Sequence, residues 1–526
     1  MKKILLGNEA IVQGALEAGV DFVSTYPGTP ASEIGDNFYK IAKEQGVYFE
    51  FSTNEKVALE AAIGASFSGL KCLVAMKNFG LNVASDALLP FCYTGAKGPV
   101  VIIVGDDPGC WSSAQSEENS RAFAYLAHIP ILEPSDAQEA KDFVKFGFEI
   151  SEKFKIPVIV RTTTRVAHQR MPVIIKSKIK NQKSKRLGKF IKDIKRFVTM
   201  PPRVLEMKKE LLEKIEKIRE FAERSCVNRK SSIVNSNFGI ITSGISCLYV
   251  KEALSDLKLD LPLLKLGFFY PLPEKKIKRF IKGLKKILVV EELEPYLEKE
   301  VERLAKEVNC KLEILGKNVL PEIGELNTDK VRSAIAGVRP RPDPGLTPAP
   351  RLPRFCPGCP HALVLSVLKK IAPKETIFGG DIGCYMMAGL PPYNLQDYLL
   401  CMGSSLGIAH GIRKSTEQKV IALIGDSTFF HAGIPALINA VYNKSNPLII
   451  VMDNRITAMT GHQPNPGGEI KIEEIARACG VKNVKVLDPI NAKELEEIIR
   501  EFLRKEEVSV IVARRICALL ERRLKK

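Results

Sequence analysis

The sequence has 526 residues, of which 45% are hydrophobic and 7% aromatic, and its formal net charge is +18. No stretch reaches the roughly 18 consecutive apolar residues of a membrane span, and the N-terminus lacks the apolar core of a signal peptide. These features argue against a membrane or secreted protein and predict a cytoplasmic globular chain of about three domains. The twelve cysteines are therefore expected to be reduced, and paired ones to bind metal or serve redox chemistry.

Residues 1–170 are predicted to form a first α/β domain. Apolar strands alternate with helices of roughly ten to fifteen residues, which indicates a parallel, doubly wound sheet. The strands are predicted in DFVSTYPG, VYFEFST, KCLVAM, VVIIVGDD and PVIVRTT, and helices in ASEIGDNFYKIAKEQG and EKVALEAAIGASFSG.

Residues 171–232 are predicted to be a basic connector. Residues 170–230 hold 20 Lys and Arg against 7 Asp and Glu, which accounts for +13 of the net charge. The second half, which begins PPRVLEMKKELLEK, is expected to be an exposed helix with interleaved charges. The segment is either a solvated connector or a basic surface for an acidic partner such as a CoA phosphate, a ferredoxin or RNA. Nucleic acid is disfavoured, because no aromatic RNA-binding pattern accompanies the charges.

Two more α/β domains are predicted, at residues 233–336 and 355–526. The first repeats the strand pattern in FGIITSG, LPLLKLG, KILVVEE and CKLEILG, and the second in ETIFGGDIG, KVIALIGDS, PLIIVMDN, VKVLD and VSVIVARR. A proline-rich linker at residues 337–354 separates them. The predicted fold class is therefore α/β, with three doubly wound parallel-sheet domains.

A pair of strand ends in the last domain predicts a cation site. One strand ends at Gly425 and Asp426, and after a single helix the next strand ends just before Asn454. A single crossover brings both strand ends to the carboxyl edge of the sheet, where open α/β sheets bind ligands. The two side-chain oxygens and the backbone carbonyl of Ile456 suit Mg²⁺, which phosphate oxygens and water complete. Gly425 would let a diphosphate approach the backbone closely, beside Ser427.

The Gly-Asp…Asn spacing resembles the signature of thiamine-diphosphate enzymes, which also need a carboxylic acid at N1′ of the aminopyrimidine. In these enzymes the cofactor supplies the chemistry, and the protein supplies that acid and the pose of the cofactor. Glu55, at the strand-to-helix junction in FSTNEKVALEAAIGAS, is the candidate acid. Alternatively, Glu55 is a carboxylate that only stabilises the start of a helix.

The stretch CPGCPH has three open interpretations. Cys356 and Cys359 are half of a zinc site, part of an iron–sulfur cluster, or buried residues of a proline-stiffened turn. His361 lies too close in sequence to Cys359 to be a comfortable zinc ligand.

Several long motifs resemble one family, the 2-oxoacid:ferredoxin oxidoreductases. Within it the resemblance is strongest to the large alpha subunits that act on indolepyruvate. It extends over nearly the whole chain and implies a pyrimidine-binding, a transketolase C-terminal-like and a diphosphate-binding domain in that order. The motifs that carry it are YPGTPASEI, TNEKVALEAAIGASFSG, GDDPGCWSSAQSEENSR, LEPSDAQEA, CPGCPHA, GGDIGCY, GDSTFFHAGIPAL and DNRITAMTGHQPNPG.

The resemblance implies decarboxylation of an aryl 2-oxoacid with thiamine diphosphate, acyl transfer to coenzyme A, and passage of two electrons through iron–sulfur clusters to ferredoxin. Glu55 would act on the pyrimidine, and Thr29 in the YPGTP turn would contact the substrate carboxylate or oxyanion. His431 and His462 are proton-transfer candidates or ordinary hydrogen-bonding histidines. Arg121 is either a ligand of the substrate or of a CoA phosphate, or part of a structural ion pair.

The resemblance also bears on the cysteines. In related oxidoreductases with C-P-G-C, a third cysteine after an I-G turn helps to hold a [4Fe–4S] cluster, which implies Cys356, Cys359 and Cys384 here. A fourth ligand is either Cys517, which is preferred over Cys479 or Cys401, or is not needed, as in a three-iron or solvent-ligated cluster.

The expected partners follow from one departure from the family. Alpha subunits usually continue into a ferredoxin-like domain with two C-x2-C-x2-C-x3-C-P runs, and these 526 residues contain no such run. Either ferredoxin or a separate ferredoxin-like subunit accepts the electrons, which is the preferred expectation, or the enzyme has fewer clusters. A small beta subunit, similar to the gamma domain of the family, and a homodimer of this chain within a hetero-oligomer are also expected.

Three other functions are weighed against this one. An oxidoreductase for pyruvate or a branched-chain 2-oxoacid would use the same motifs. A non-oxidative thiamine-diphosphate decarboxylase or ligase would share Glu55 and the magnesium site but would not need CPGCPH. An RNA-binding scaffold would explain the basic connector and leave the diphosphate motif without a purpose.

Overall fold

The computed structural model describes residues 1–113, 115–176, 187–231, 236–337 and 353–525, and the chain divides into two units, Met1–Gly345 and Leu346–Lys526. The strands of the first unit are β1 (Lys2–Leu6), β2 (Phe22–Thr25), β3 (Tyr48–Phe51), β4 (Cys72–Lys77), β5 (Val100–Asp106), β6 (Ile131–Leu132), β7 (Val158–Thr163), β8 (Arg170–Ile174), β9 (Arg229–Lys230), β10 (Phe238–Ser243), β11 (Leu263–Leu266), β12 (Phe268–Tyr270), β13 (Lys286–Val290) and β14 (Glu313–Leu315). Its helices are α1 (Gly7–Glu17), α2 (Ser32–Ile41), α3 (Glu55–Phe67), α4 (Asn78–Thr94), α5 (Ala122–Ala127), α6 (Ala137–Phe154), α7 (Thr164–His168), α8 (Ile194–Phe197), α9 (Arg203–Arg224), α10 (Ser246–Leu257), α11 (Glu274–Ile281), α12 (Tyr296–Val308) and α13 (Thr328–Ile335).

The second unit contains one parallel sheet. Its strands are β15 (Ile377–Gly379), β16 (Val420–Gly425), β17 (Leu448–Asp453), β18 (Asn483–Leu487) and β19 (Ser509–Arg514), in the order β15-β16-β17-β19-β18. Its helices are α14 (Pro360–Ile371), α15 (Ser404–Ser415), α16 (Asp426–Thr428), α17 (Ile434–Tyr442), α18 (Ile472–Ala478), α19 (Ala492–Phe502) and α20 (Ala518–Leu524), with a π-helical turn at Phe429–Gly433 and 3₁₀ turns at Cys384–Gly389 and Pro466–Gly468.

A seven-stranded sheet forms the centre of the first unit, in the order β12-β6-β7-β5-β4-β2-β3. All neighbours pair in parallel except the edge strand β12, which is antiparallel to β6. Because β3 and β4 lie on opposite sides of β2, the winding reverses between β2 and β4. Ligands of open α/β sheets bind at the carboxyl ends of the strands at such a reversal.

A five-stranded sheet of the first unit is built by residues after the basic connector, together with β9 from the end of the connector. Its order is β14-β13-β10-β11-β9, parallel except for β9. Strand β12 comes from the same part of the chain but extends the seven-stranded sheet, and a continuous apolar core runs through both regions. These two predicted domains therefore share a core.

The apolar strands of the second unit are buried on both faces of its sheet. Ile421 and Leu423 of β16 belong to the core on one face, and Ala422 and Ile424 to the core on the other. Successive side chains of a strand point to opposite faces, so a continuous apolar run is what a strand covered on both sides requires. The predicted strands of all three regions are present at the predicted places.

The helix of the basic connector differs from its prediction as an exposed helix. In α9 an apolar stripe of five side chains is buried, most of it in the core of the first unit, while the charges face outward. The stripe consists of Met207, Leu211, Ile215, Ile218 and Ala222. In the sequence, the many charged residues between these apolar positions make their helical spacing hard to recognise. Residues 177–186 and 232 of the connector, and 338–352 of the proline-rich linker, lie outside the described residues.

Among the described residues, no helix combines the length and the apolarity that crossing a membrane requires.

Candidate active site

Glu55 is the first residue of α3, which follows β3 after a three-residue turn. The helix begins there because the Asn54 side chain caps it, its Oδ1 accepting the N–H of Val57 at 2.8 Å. The Glu55 side chain is 7% exposed and packs on the first turn of α4. A Cβ added to Gly80 would lie 2.6 Å from Glu55 Cγ and 2.9 Å from Oε1, so this close packing requires glycine.

Thr29 lies in the turn that follows β2. Its carbonyl accepts a hydrogen bond from Ser112 Oγ at 3.3 Å, and its Oγ1 is 3.5 Å from Ser32 Oγ. The neighbouring Gly28 approaches the end of β4, since a Cβ at this position would lie 2.8 Å from Lys77 Cβ. Thr29 itself is half-buried, so its side chain remains accessible from one side. The ends of β2, β3 and β4 thus bring Thr29 and Glu55 to the same edge of one sheet.

Asp426 is a buried carboxyl at the end of β16. Its Oδ1 accepts the N–H of Ser427 at 2.9 Å, and its Oδ2 accepts from Asn465 Nδ2 at 3.1 Å. Burial, reinforced by the negative charge of Asp453, raises the pKa of Asp426 to about 7. Ser427 Oγ in turn lies 3.1 Å from Thr457 Oγ1 in the loop after β17.

The loop after β17 carries the other predicted magnesium ligands. Asn454 is buried, and its Oδ1 accepts the N–H of Ile456 at 3.2 Å. Because β16 and β17 are parallel neighbours, Asp426 and Asn454 lie at the same edge of the sheet, as the sequence predicts. A carboxylate, an amide oxygen and a backbone carbonyl form the hard oxygen set that Mg²⁺ prefers.

The space next to Gly425 is taken by an aromatic ring that the sequence did not indicate. A Cβ at Gly425 would lie 2.8 Å from Tyr385 Cε1. The Tyr385 hydroxyl donates to the carbonyl of Ile382 at 2.8 Å and lies 3.3 Å from Thr428 Oγ1. The absence of a side chain at Gly425 therefore serves the packing of Tyr385.

The two predicted histidines have different surroundings. His431 is buried in the π-helical turn shortly after Asp426. The His462 ring is half-buried, with Nε2 at 3.7 Å from Cys517 Sγ and Nδ1 at 3.4 Å from Arg523 Nη1. Burial, and then the positive charge of Arg523, lowers the pKa of His462.

Four cysteines line one largely apolar cavity in the second unit. They are the three predicted cluster ligands and the preferred fourth, namely Cys356, Cys359, Cys384 and Cys517, joined by residues that include His361, Asn454 and His462. Burial raises the pKa of Cys384 to about 12, with smaller contributions from the three other cysteines. Cys401 and Cys479 do not line this cavity.

The donor set bears on the metal interpretations of CPGCPH. Within the described residues, no three or more His, Cys, Asp or Glu side chains form a ready-made site for a metal ion. The four thiols that line the cavity are the ligand type that a [4Fe–4S] cluster takes, so the residue types present fit such a cluster.

Arg121 is engaged in buried ion pairs. Its guanidinium donates to both carboxylate oxygens of Glu133 at 2.7 Å, to Glu291 at 2.9 Å and to Ser243 Oγ at 2.9 Å. The side chain is 2% exposed, so it is closed to a substrate or to CoA. Of the two roles left open for Arg121, the structural ion pair is the one observed.

Two family models match the chain. Residues 13–222 match the thiamine-diphosphate-binding domain of the pyruvate flavodoxin/ferredoxin oxidoreductases, and residues 381–513 match the C-terminal TPP binding domain of thiamine pyrophosphate enzymes. The indolepyruvate oxidoreductase subunit IorA of Pyrococcus horikoshii is 45% identical over 98% of this chain and 86% of its own length. The chain belongs to the IorA family.

Other comparisons agree with this membership. The subunit IorA of Methanothermobacter thermautotrophicus is also 45% identical, over 98% of this chain and 87% of its own. A solved 2-oxoglutarate:ferredoxin oxidoreductase from Magnetococcus marinus shares the fold, with a TM-score of 0.52 at 18% identity over 64% of this chain and 65% of that one. The predicted fold class and the predicted 2-oxoacid:ferredoxin oxidoreductase family are confirmed, and the non-oxidative and RNA-binding alternatives are set aside.

Sequence reasoning missed three residues of this IorA-family site. Asp381 in GGDIGC accepts the N–H groups of Gly403 and Ser405 at 2.7 and 3.0 Å and so holds the start of α15. Asn465 holds Asp426, and Tyr385 fills the space beside Gly425. Asp381 could have been predicted as a site residue, because it follows a strand. The contacts of Asn465 with Asp426 and of Tyr385 with Gly425 could not, because they join residues distant in sequence.

Proposed function

We propose that the chain is the large catalytic subunit of an indolepyruvate:ferredoxin oxidoreductase. The reaction converts a 2-oxoacid and coenzyme A to an acyl-CoA, carbon dioxide, a proton and two electrons, and the electrons pass to ferredoxin. The observation that carries the proposal is that one chain holds a buried glutamate at a strand end, Glu55, and a separate carboxylate–amide pair, Asp426 and Asn454. Relatives at 45% identity are named indolepyruvate oxidoreductases, which supports an aryl 2-oxoacid as substrate.

The side chains divide the work between the two units. Thiamine diphosphate supplies the electron sink for decarboxylation when it is bound. Asp426 and Asn454, with the carbonyl of Ile456, would hold Mg²⁺ and through it the diphosphate, with Gly425 and Ser427 alongside.

Glu55 and Thr29 of the first unit have proposed roles toward the pyrimidine and the substrate. Glu55 would hold a proton at N1′ of the aminopyrimidine, and Thr29 would donate a hydrogen bond to the substrate. His431 and His462 are the proposed groups for later proton transfers. A solved protein of the same fold has coenzyme A bound, which supports CoA as the acyl acceptor.

We further propose that Cys356, Cys359, Cys384 and Cys517 hold a [4Fe–4S] cluster. A cluster at these positions would take up one electron at a time. The four thiols line one cavity, which supports the assignment of Cys517 as the fourth ligand.

The proposed partners follow from the proposed reaction. They are a small beta subunit, a second copy of this chain, and ferredoxin or a ferredoxin-like subunit as electron acceptor. The term subunit in the names of the relatives supports an assembly of more than one chain. Twelve free cysteines support a reducing cytoplasm as its location.

The substrate assignment is tested by an anaerobic assay of this chain co-expressed with the small subunit. CoA-dependent reduction of a viologen dye is measured with indolepyruvate, phenylpyruvate, pyruvate and a branched-chain 2-oxoacid. We expect kcat/KM for the aryl substrates to exceed the others by about 10-fold or more, as differential pocket contacts of a few kcal/mol give. A preference for pyruvate or the branched-chain acid would contradict the aryl assignment and leave the oxidoreductase intact.

The cluster is tested by iron and acid-labile sulfide analysis of the anaerobically purified chain and its variants. Cys384→Ala is expected to lose the cluster iron and its EPR signal on reduction, because one of four ligands is removed. Cys401→Ala is the control, since Cys401 is exposed and lies outside the cavity. Equal iron in the wild-type chain and in Cys384→Ala would contradict the assignment.

A further inference from the structure

Lys77 is a buried lysine at the point where the seven-stranded sheet reverses its winding. It is the last residue of β4, and α4 begins immediately after it. Gly28, in the turn after the neighbouring strand β2, packs so closely that a Cβ there would lie 2.8 Å from Lys77 Cβ. The two strand ends that flank the reversal are therefore those of Lys77 and of the YPGTP turn.

The ammonium group of Lys77 has hydrogen-bonding capacity that the described residues leave unused. Nζ donates to the carbonyl of Ser112 at 2.8 Å, and the side chain is only 10% exposed. An ammonium carries three N–H donors, and a buried charge needs compensation for lost hydration. Within the described parts of the chain, this carbonyl is the one hydrogen-bond acceptor of Nζ; the Phe79 ring, with its centroid 5.1 Å from Nζ, adds a cation–π contact but accepts no such bond.

The nearest carboxylate does not complete this compensation. Asp107 Oδ2 is 3.9 Å from Lys77 Nζ, beyond hydrogen-bonding distance. The Asp107 carboxylate is already held by the N–H and Oγ of Ser112, by Ser113 Oγ and by Thr164 Oγ1, at 2.6 to 3.1 Å. Burial lowers the pKa of Lys77 to about 8, and Asp107 and Cys110 oppose the shift only in part.

The surroundings favour an anion. Helix α4 begins at Asn78 without a side-chain cap and without an acidic residue in its first turn, so its first N–H groups add to the positive potential. The same turn carries Glu55 against Gly80, and Thr29 follows Gly28 directly. An anion at Lys77 would therefore lie beside the two residues of this unit that the proposed reaction uses.

We propose that Lys77 binds the carboxylate of the 2-oxoacid substrate, in the first unit, at the reversal between β2 and β4. This inference rests on the proposed function. Lys77 would then be the charged partner of the substrate carboxylate. Arg121 does not provide one, because its guanidinium is already paired with Glu133 and Glu291.

The test compares Lys77→Met and Lys77→Arg with the control Lys71→Met in the assembled enzyme. Lys71 immediately precedes β4, so it lies at the amino end of the same strand, and its Nζ likewise donates to one backbone carbonyl, that of Ala18, at 2.8 Å. For Lys77→Met we expect KM for the 2-oxoacid to rise about 10- to 100-fold, because one charge-assisted hydrogen bond to the substrate is lost. KM for CoA is expected to stay within about 2-fold, and Lys77→Arg to recover part of the loss.

A second readout separates binding from a structural role of Lys77. Indole-3-propionate and its amide are compared as competitive inhibitors, because they differ in charge and little in shape. The wild-type enzyme is expected to favour the acid about 10-fold or more, and Lys77→Met to lose this discrimination.

The possible outcomes are distinct. Unchanged discrimination in Lys77→Met, or a rise in KM for CoA alone, would overturn the inference, the latter by assigning the anion to a CoA phosphate. Equal losses in Lys77→Met and Lys71→Met would overturn it as well, because they would indicate disturbed folding. Failure of the proposed function would instead appear as a wild-type enzyme without 2-oxoacid turnover.

Discussion

The buried side chain of Glu55 lies against a helix turn that has no room for a larger residue than Gly80. Removing its acidity while keeping its shape should therefore affect chemistry more than stability. For Glu55→Gln we expect kcat to fall about 10²- to 10⁴-fold, the usual contribution of a positioned acid or base.

The matched control for this substitution is Glu60→Gln. Glu60 is an exposed residue of the same helix, with Lys56 at 3.9 Å as its salt-bridge partner. Steady-state rates and thermal midpoints of both variants are compared. A Glu55→Gln enzyme with wild-type kcat would refute the catalytic role and leave Glu55 as a helix-start carboxylate.

The pH dependence of substrate binding should follow Lys77. Its pKa is lowered to about 8, so its charge is present below that pH and is lost as the pH rises through it. KM for the 2-oxoacid is therefore expected to increase above about pH 8. In Lys77→Arg this increase should vanish from the measured range, because a guanidinium stays charged. An identical KM profile in both enzymes would contradict the assignment.

At the scale of elements, the junction between β16 and the following helix depends on a glycine. In Gly425→Ala the new Cβ would meet the ring of Tyr385 at 2.8 Å, so the ring or the strand must shift. We expect a loss of about 1–3 kcal/mol, seen as a lower thermal midpoint, together with weaker binding of thiamine diphosphate.

Gly407→Ala provides the control, since a Cβ there meets nothing within 4 Å on helix α15. It is expected to be neutral or to stabilise by about 0.5–1 kcal/mol. Equal thermal midpoints for the two alanine variants would contradict this expectation. They would show that the Tyr385 ring moves away from the new Cβ without loss of stability.

Elements whose signal is local were predictable. The strands that carry Asp426 and Asn454 are apolar runs ended by polar residues, so both their existence and their shared edge could be read from the sequence. The capping role of Asn54 and the start of α3 at Glu55 are local in the same sense. Tyr385 beside Gly425 was not predictable, because no periodicity reports which ring fills a space across the sheet.

At the scale of the whole molecule, a buried ionic cluster joins the seven-stranded and the five-stranded sheets of the first unit. Arg121 contacts Glu133 from one sheet region and Glu291 from the other, and burial raises the pKa of Glu291 despite this contact. In Arg121→Met, Glu291 would lose its buried ion pair, and Glu133 would keep only its contact with Arg161, at 3.1 Å. We expect a loss of about 3–5 kcal/mol and a thermal midpoint lower by roughly 10 °C.

Arg303→Met is the control for this cluster. Arg303 also contacts several glutamates but is 48% exposed, so its loss is expected to cost about 0–1 kcal/mol. A midpoint for Arg121→Met equal to that of Arg303→Met would contradict a stabilising role of the cluster.

The alternation of strands and helices was predictable from the sequence, but the shared core of the first two regions was not. Strand β12 leaves its own region to extend the neighbouring sheet, and α9 buries one face beneath a strongly charged sequence. Both features result from tertiary packing. The packing crosses the domain boundary that the basic composition of the connector indicates. The role of Lys77 was not predictable for a related reason. A lysine at the end of an apolar strand is common, and the sequence does not show that its side chain is buried.

The most direct test of the account is whether decarboxylation requires an electron acceptor. Release of labelled carbon dioxide from [1-¹⁴C]indolepyruvate is measured anaerobically in the assembled enzyme with thiamine diphosphate, Mg²⁺ and CoA, with and without oxidised ferredoxin. We expect sustained release only when ferredoxin is present, with two electrons transferred for each carbon dioxide. Sustained release at the same rate without any acceptor would contradict the oxidoreductase assignment.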